Sequence, residues 1–171
     1  MGKKLGQHFL INKAAIQKII AALDLQKDDF IIEIGSGKGA LTLPLAEQCQ
    51  NPNSKCQITA IEKDPNLGSR VRGLGYSKNL EVIIGDALKV FPKITKPYTL
   101  NPLPYKLVGN IPYYITGKLL RVVGDLDRKP ELTVLTIQKE VAERIVAQPP
   151  HMNLLAAAVQ IWAEPKIIGY L

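Results

Sequence analysis

The stretch with the most chemistry in it is Asn110-Ile111-Pro112-Tyr113. It follows the apolar run Lys106-Leu107-Val108-Gly109, which reads as a strand, and precedes Ile115 to Arg121, which reads as the start of a helix. An Asn at a strand end followed by a stiff Pro can offer a single amine two acceptors, the Asn110 side-chain oxygen and the Ile111 carbonyl. Tyr113 adds a flat face on which a base can stack. An exocyclic adenine amine is a poor nucleophile because its lone pair is delocalised into the ring. Acceptors placed off the ring plane favour a pyramidal nitrogen and restore its reactivity. The same tetrapeptide also reads as a plain Asn-Pro turn with an aromatic plug. The rest of the chain has to decide between them.

Other strand ends carry compatible groups. Gly35-Ser36-Gly37-Lys38-Gly39 lies between an apolar run and a helical pattern, where glycines let the backbone approach a ligand. With Ala40 it also meets the loose dinucleotide pattern Gly-x-Gly-x-x-Gly/Ala, and it is not a Walker loop. Glu62 ends the next apolar run and suits the hydroxyls of a ribose. Asp86, in Gly85-Asp86-Ala87, suits an adenine amine, and Glu33 is placed to hold the glycine loop or to meet a cationic ligand end. Singly, each acid also reads as a solvated strand terminus. In order, strands ending in Gly-loop, Glu, Asp and Asn make a sharper pattern, because ligands of open α/β sheets bind beyond the carboxyl ends of the strands.

Positioning these groups requires an α/β domain with a mostly parallel sheet, and the alternation of apolar runs with helical patterns predicts one. Strands are expected at 30–34, 57–61, 80–84, 106–109, 132–137 and 166–170. Helices are expected from Ile11 to Leu23, with Asn12 as N-cap, and at 40–49, 65–74, 116–123, 139–147 and 153–162. Residues 87–105, with Pro92, Pro97, Pro102 and Pro104, read as loop. The 171 residues fit one domain, and no apolar run approaches the length of a membrane span. Cys49 and Cys56 read as free thiols of an intracellular protein, and their spacing supports no metal site. The net charge of +7 suits a polyanionic partner.

Taken together, these motifs resemble the ribosomal RNA adenine dimethyltransferase family. The resemblance runs over essentially the whole chain. It is carried by Gly6-Gln7-His8-Phe9-Leu10, by Ile32 to Gly39, Ile61-Glu62, Gly85-Asp86-Ala87 and Gly109 to Tyr113, and by Gln138-Lys139-Glu140-Val141-Ala142-Glu143-Arg144. It implies a Rossmann-like S-adenosylmethionine-dependent methyltransferase fold, with S-adenosyl-L-methionine as cofactor and ribosomal RNA as partner. By the same resemblance, Gln7, His8 (where many members carry Asn) and the backbone around Leu10 would close over the cofactor. Glu33, Gly35 and Gly37 would surround its methionine part, Glu62 its ribose and Asp86 its adenine, and Asn110 would also border the cofactor. Asn110, Ile111 and Pro112 would orient the target amine, with Tyr113 stacking on the flipped base. The first and last motifs look more like the branch that dimethylates two adjacent adenosines near the 3′ end of small-subunit rRNA than the large-subunit, macrolide-resistance branch.

The resemblance further implies that residues 1–171 are a catalytic domain without the helical RNA-gripping domain that members usually carry next. The protein is then expected to be a cytoplasmic monomer acting in ribosome biogenesis, with no metal and no membrane. Lys3, Lys4, Lys13, Lys118, Arg121, Lys139 and Arg144 are candidate phosphate contacts. Two other readings belong to different classes. A non-catalytic nucleic-acid-binding relative would bind cofactor without turnover. A nicotinamide-dependent dehydrogenase would use the glycine loop and Glu62, but leaves Asn110 to Tyr113 unexplained.

Overall fold

The computed structural model describes residues 12–51, 55–75, 78–96 and 104–170. In chain order the elements are α1 (Lys13–Ala22), β1 (Phe30–Ile34), α2 (Thr42–Gln48), β2 (Gln57–Glu62), α3 (Pro65–Arg72), β3 (Leu80–Ile84), α4 (Ala87–Ile94), β4 (Tyr105–Asn110), α5 (Thr116–Asp125), β5 (Leu132–Thr136), α6 (Lys139–Ile145) and α7 (Leu154–Gln160). The strands form a five-stranded sheet in the order β3-β2-β1-β4-β5, with every pairing parallel. The chain reverses its direction of travel between β1 and β4, so the crevice between their carboxyl ends is the place where this topology accommodates a ligand.

Local chemistry starts the helices. Asn12 accepts hydrogen bonds from the Ala14 and Ala15 N–H groups at the head of α1, Asp64 does the same for α3 and Asn153 for α7. Pro65 occupies the first turn of α3, where its missing N–H leaves no bond unmade. Successive residues of β1 then sort to opposite faces of the sheet. Ile31 packs with Ile16, Ile19, Ile20, Leu41, Leu45 and Val108 under α1 and α2. Ile32 and Ile34 pack with Ile61, Phe91, Leu107, Leu119 and Val123 under α4 and α5. At the strand-start end, the buried Lys106 ammonium donates to Asp29 Oδ2 and to the Asp24 carbonyl, both at 2.7 Å.

Three expectations need correction. Residues 87–94 form α4 rather than loop, despite Pro92 inside the helix. Asp86 caps its start, accepting from Leu88 N–H at 3.1 Å, and fully buried Phe91 anchors it edge-on against Tyr105 with ring centroids 6.1 Å apart. Lys166–Tyr170 is not a sixth strand. A strand needs a neighbour to bond, and Pro165 lacks an N–H; this stretch instead runs back to α1, with Gly169 against Lys18 and Tyr170 beneath the Lys139 ammonium at 5.2 Å. Cys49 and Cys56 are not free thiols but a disulfide. Cys49 caps the end of α2 and Cys56 sits at the entry to β2, so the return of the chain brings their Cα atoms to 4.7 Å.

Candidate active site at the carboxyl ends of the strands

The glycine loop leaves β1 by an unusual backbone route. Gly37 takes φ +54°, in the left-handed region that glycine enters without penalty. There its N–H donates to Glu62 Oε2 at 2.7 Å, while Glu62 Oε1 accepts from Asp64 N–H at 2.8 Å. Glu62, at the tip of β2 and almost fully buried, thus ties the loop after β1 to the turn after its own strand. Each of its oxygens retains a second lone pair that a ligand hydroxyl can use.

Across the crevice, Gly35 lies against β4: a Cβ built on it would stand 4.0 Å from the Asn110 carbonyl oxygen. Asn110 ends β4, and the Ile111 N–H donates to the Thr136 carbonyl at 3.0 Å, which fixes the turn that follows. Pro112 continues it with ψ of 138°, and a short 3-10 turn then carries Tyr113 and Tyr114. Tyr113 is 47% exposed and Tyr114 53%, so both side chains reach the surface beside Asn110. The approach of β4 to β1 depends on Gly109. Any Cβ there would lie 2.6 Å from the Ile34 carbonyl oxygen, in the register that pairs Ile34 with Gly109.

Asp86 sits at the tip of β3 with a double engagement. Its Oδ1 caps α4, and its Oδ2 accepts from the Lys63 ammonium at 3.0 Å. The Lys63 hydrogen bond holds its carboxyl below the usual range against a weaker opposing effect of burial. An adenine amine would have to share Asp86 with Lys63, an exposed pair of small intrinsic strength.

Glu33 is the anomaly. It is fully buried inside β1, and its Oε2 has no hydrogen-bond partner among the described residues; neither has the Ser36 hydroxyl nor that of Thr42 on α2. Burial pushes its carboxyl up to about 7. Thr42 is close enough to favour the ionised form, yet its geometry stops short of a hydrogen bond, and the charge of Glu62 opposes ionisation.

One cleft of about 1340 Å³ is lined by Glu33, Gly35, Gly37, Glu62, Asp86, Asn110, Ile111, Pro112 and Tyr113. Every anticipated site residue within the described stretches therefore reaches a single space. Gln7, His8 and Leu10 lie outside the described residues, as do Lys3 and Lys4. Lys63 and Tyr114, which also line the cleft, were not anticipated, nor was Thr42, which lies buried beside Glu33. The repeated aromatic after Tyr113 could have flagged Tyr114, whereas nothing in local spacing marks a threonine in a helix's first turn.

The chain matches the profile described as "Ribosomal RNA adenine dimethylase" over residues 1–170. It belongs to that family. It is 40% identical to "Ribosomal RNA small subunit methyltransferase A" of Dehalococcoides mccartyi strain CBDB1, over 98% of this chain and 55% of the relative. Among solved structures it resembles a dimethyladenosine transferase from Plasmodium falciparum, with a TM-score of 0.71, 31% identity, and coverage of 90% of this chain and 52% of that one. It also resembles the 23S rRNA methyltransferase ErmE, with a TM-score of 0.64, 29% identity, and coverage of 81% of this chain and 51% of that one. The chain thus spans about half the length of the relatives it matches. The fold of this family member is that of the Rossmann-like methyltransferases. Among its described residues no helix is long and apolar enough to cross a membrane.

Proposed function

We propose that this chain is the catalytic part of an rRNA adenine dimethyltransferase. It transfers methyl groups from S-adenosyl-L-methionine to the exocyclic amines of two adjacent adenosines near the 3′ end of small-subunit rRNA, in the cytoplasm. The observation that carries the reading is the meeting of the glycine loop with Asn110-Ile111-Pro112-Tyr113 across the crevice between β1 and β4. A cofactor loop and an amine-gripping turn on facing lips of one cleft are what methyl transfer to a base requires.

The residues present suit that cofactor. Glu33 offers an orphaned carboxylate oxygen in a buried pocket, Glu62 has lone pairs left for ribose hydroxyls, and the bend at Gly37 clears the approach. When bound, the cofactor supplies an electrophilic methyl on a good leaving group. The protein's task is then alignment and exclusion of water, and alignment of this kind is worth about 7–11 kcal/mol. The Asn110 carboxamide and the Ile111 carbonyl accept from the amine and hold its lone pair out of the base plane. The turn that presents them is stiffened by Pro112 and by the Ile111 N–H bond to Thr136. Tyr113 receives the flipped base, and stacking of roughly 1–3 kcal/mol offsets part of the few kcal/mol needed to unstack it. Lys13, Lys118, Arg121, Lys139 and Arg144 are all exposed and serve as phosphate contacts.

The test is to incubate the chain with methyl-labelled cofactor and either small ribosomal subunits or naked large-subunit RNA, then map dimethylated adenosines. Label at two adjacent adenosines of the small subunit is expected. Label confined to large-subunit RNA would move the assignment to the other branch. Cofactor binding with no label in either RNA would make the chain a non-catalytic relative.

A further inference from the structure

Tyr114 is left over once the loop, the ribose acceptor and the amine-gripping turn have been given their tasks. It is the more exposed of the two adjacent tyrosines, and it stands on a turn pinned at both ends. Ile111 and Thr116 are buried on either side of the pair. The Ile115 N–H donates to the Pro112 carbonyl at 3.1 Å, and the Thr116 hydroxyl reaches the same oxygen at 3.4 Å. A fixed backbone thus carries an aromatic side chain to the surface, where it buries little and contributes little to stability. Successive positions of a 3-10 turn point about 120° apart. Tyr113 and Tyr114 therefore cannot lie on the same base, yet both line the same cleft.

Flipping a target out of its strand also strips a stacking partner from the base beside it. Single strands recover such losses on successive aromatic side chains accompanied by cations. Here α5 begins where the turn ends. It carries Lys118 and Arg121, both exposed and three residues apart on one face, and the space over Gly117 is open among the described residues. Cations for a phosphate backbone follow directly on rings for bases.

We propose that Tyr114 is a specificity-determining residue that stacks on the nucleotide next to the flipped adenosine. The turn then holds a dinucleotide, with the target on Tyr113 and its neighbour on Tyr114. This rests on the methyltransferase reading above. Purines stack more strongly than pyrimidines, so an adenosine neighbour is preferred, and the turn suits a substrate whose two targets adjoin. No covalent bond changes, because the ring acts through binding alone. Tyr114 also acts electrostatically on Lys63, the partner of Asp86, so the cofactor's adenine is the rival occupant of its ring.

The test gives the full chain methyl-labelled cofactor and small ribosomal subunits, and follows transfer separately at each of the two adenosines. Tyr114→Ala should raise KM for the subunits at least about fivefold, the lower end of what one stacked base is worth, and leave kcat within about twofold. Tyr114→Phe should match the parent. Tyr114→Leu, which keeps apolar bulk without a flat face, should follow Tyr114→Ala. Circular dichroism confirms that each variant is folded. Subunits with one or the other adenosine replaced by uridine supply the sharper comparison. On one of these two substrates the parent should come within about twofold of Tyr114→Ala, because the base that Tyr114 held is now a weakly stacking pyrimidine. Calorimetric affinity for S-adenosylhomocysteine should be the same in the parent and all three variants. An unchanged KM in Tyr114→Ala overturns the proposal, as does a defect in Tyr114→Phe equal to that in Tyr114→Ala. So does a Tyr114→Ala defect that stays undiminished on both substituted subunits, or one that falls on kcat. Weakened S-adenosylhomocysteine binding overturns it by giving the ring to the cofactor. Absence of any transfer by the parent, with cofactor bound, overturns the methyltransferase reading itself and this inference with it.

Discussion

Glu62 Oε2 accepts the Gly37 N–H at 2.7 Å, joining positions 25 residues apart in sequence. Because Glu62 Oε1 holds the Asp64 N–H as well, one side chain shapes two turns of the cleft. Replacing it by Ala leaves two backbone donors without their acceptor, each worth about 1–3 kcal/mol where water cannot reach. We expect Glu62→Ala to lower the urea midpoint and to weaken S-adenosylhomocysteine binding at least about tenfold, since the loop and the ribose acceptor are lost together. Intact affinity in a folded variant would show that the loop keeps its shape without Glu62.

Asn110 should behave differently, because the main task assigned to its side chain is to hold the target amine. Asn110→Ala should reduce methyl transfer by about 10²–10³, the range typical of losing one preorganised polar group. Its S-adenosylhomocysteine affinity should stay within about twofold of the parent's, a difference of under 0.5 kcal/mol. Equal loss of both quantities, measured by label incorporation and calorimetry, would show that Asn110 serves the cofactor instead.

Gly109 tests the sheet register. A methyl at that position meets the Ile34 carbonyl at 2.6 Å and Ile111 Cδ1 at 2.8 Å. One of these is backbone inside a ladder and cannot step aside. Gly109→Ala should therefore cost about 1–3 kcal/mol in chemical unfolding and lower transfer through displacement of the neighbouring Asn110.

The buried acid gives stability a pH dependence of known sign. Glu33 titrates at about 7 in the fold against 4.5 as its ordinary value. Between those values the folded state holds a proton that the unfolded state has lost, so stability falls as pH rises from about 4.5 to 7, by up to about 3 kcal/mol from this group. Urea unfolding at pH 4 and pH 8 should show Glu33→Gln close to the parent at the lower pH and more stable at the higher one. The reverse order would mean that the carboxylate is solvated or paired.

The Cys49–Cys56 bridge closes a short loop. On loop entropy alone, reduction should remove about 2 kcal/mol. Unfolding with and without reductant, alongside the Cys49→Ala/Cys56→Ala pair, measures this; cofactor binding should not change, because neither cysteine lines the cleft.

Much of this architecture could be read from local pattern. The bounds of β1 and β3 fall where the apolar runs place them, and the glycine loop, Glu62, Asp86 and Asn110 all end their strands on one cleft. The failures share a physical cause. Pro92 speaks against a helix locally, but the Asp86 cap and the buried Phe91 outweigh it. Lys166 to Tyr170 has the composition of a strand, and composition cannot provide a neighbour to pair with. Thr42 acquires meaning only when α2 sets it beside Glu33, and Gly109 only when β4 is known to lie against β1. Contacts across the sheet decided these residues, and such contacts leave no periodic mark.

All of the strands run the same way, so the molecule has a front and a back. The back is sealed by Lys106 and Asp29, and the exposed amines of Lys27 and Lys55 stand near that end. A tether attached there would hold the protein on a bead or sensor with its mouth turned towards the solution, whereas coupling through Lys38 or Lys63 would block the entrance. Orientation on a support is thus a matter of which lysine reacts.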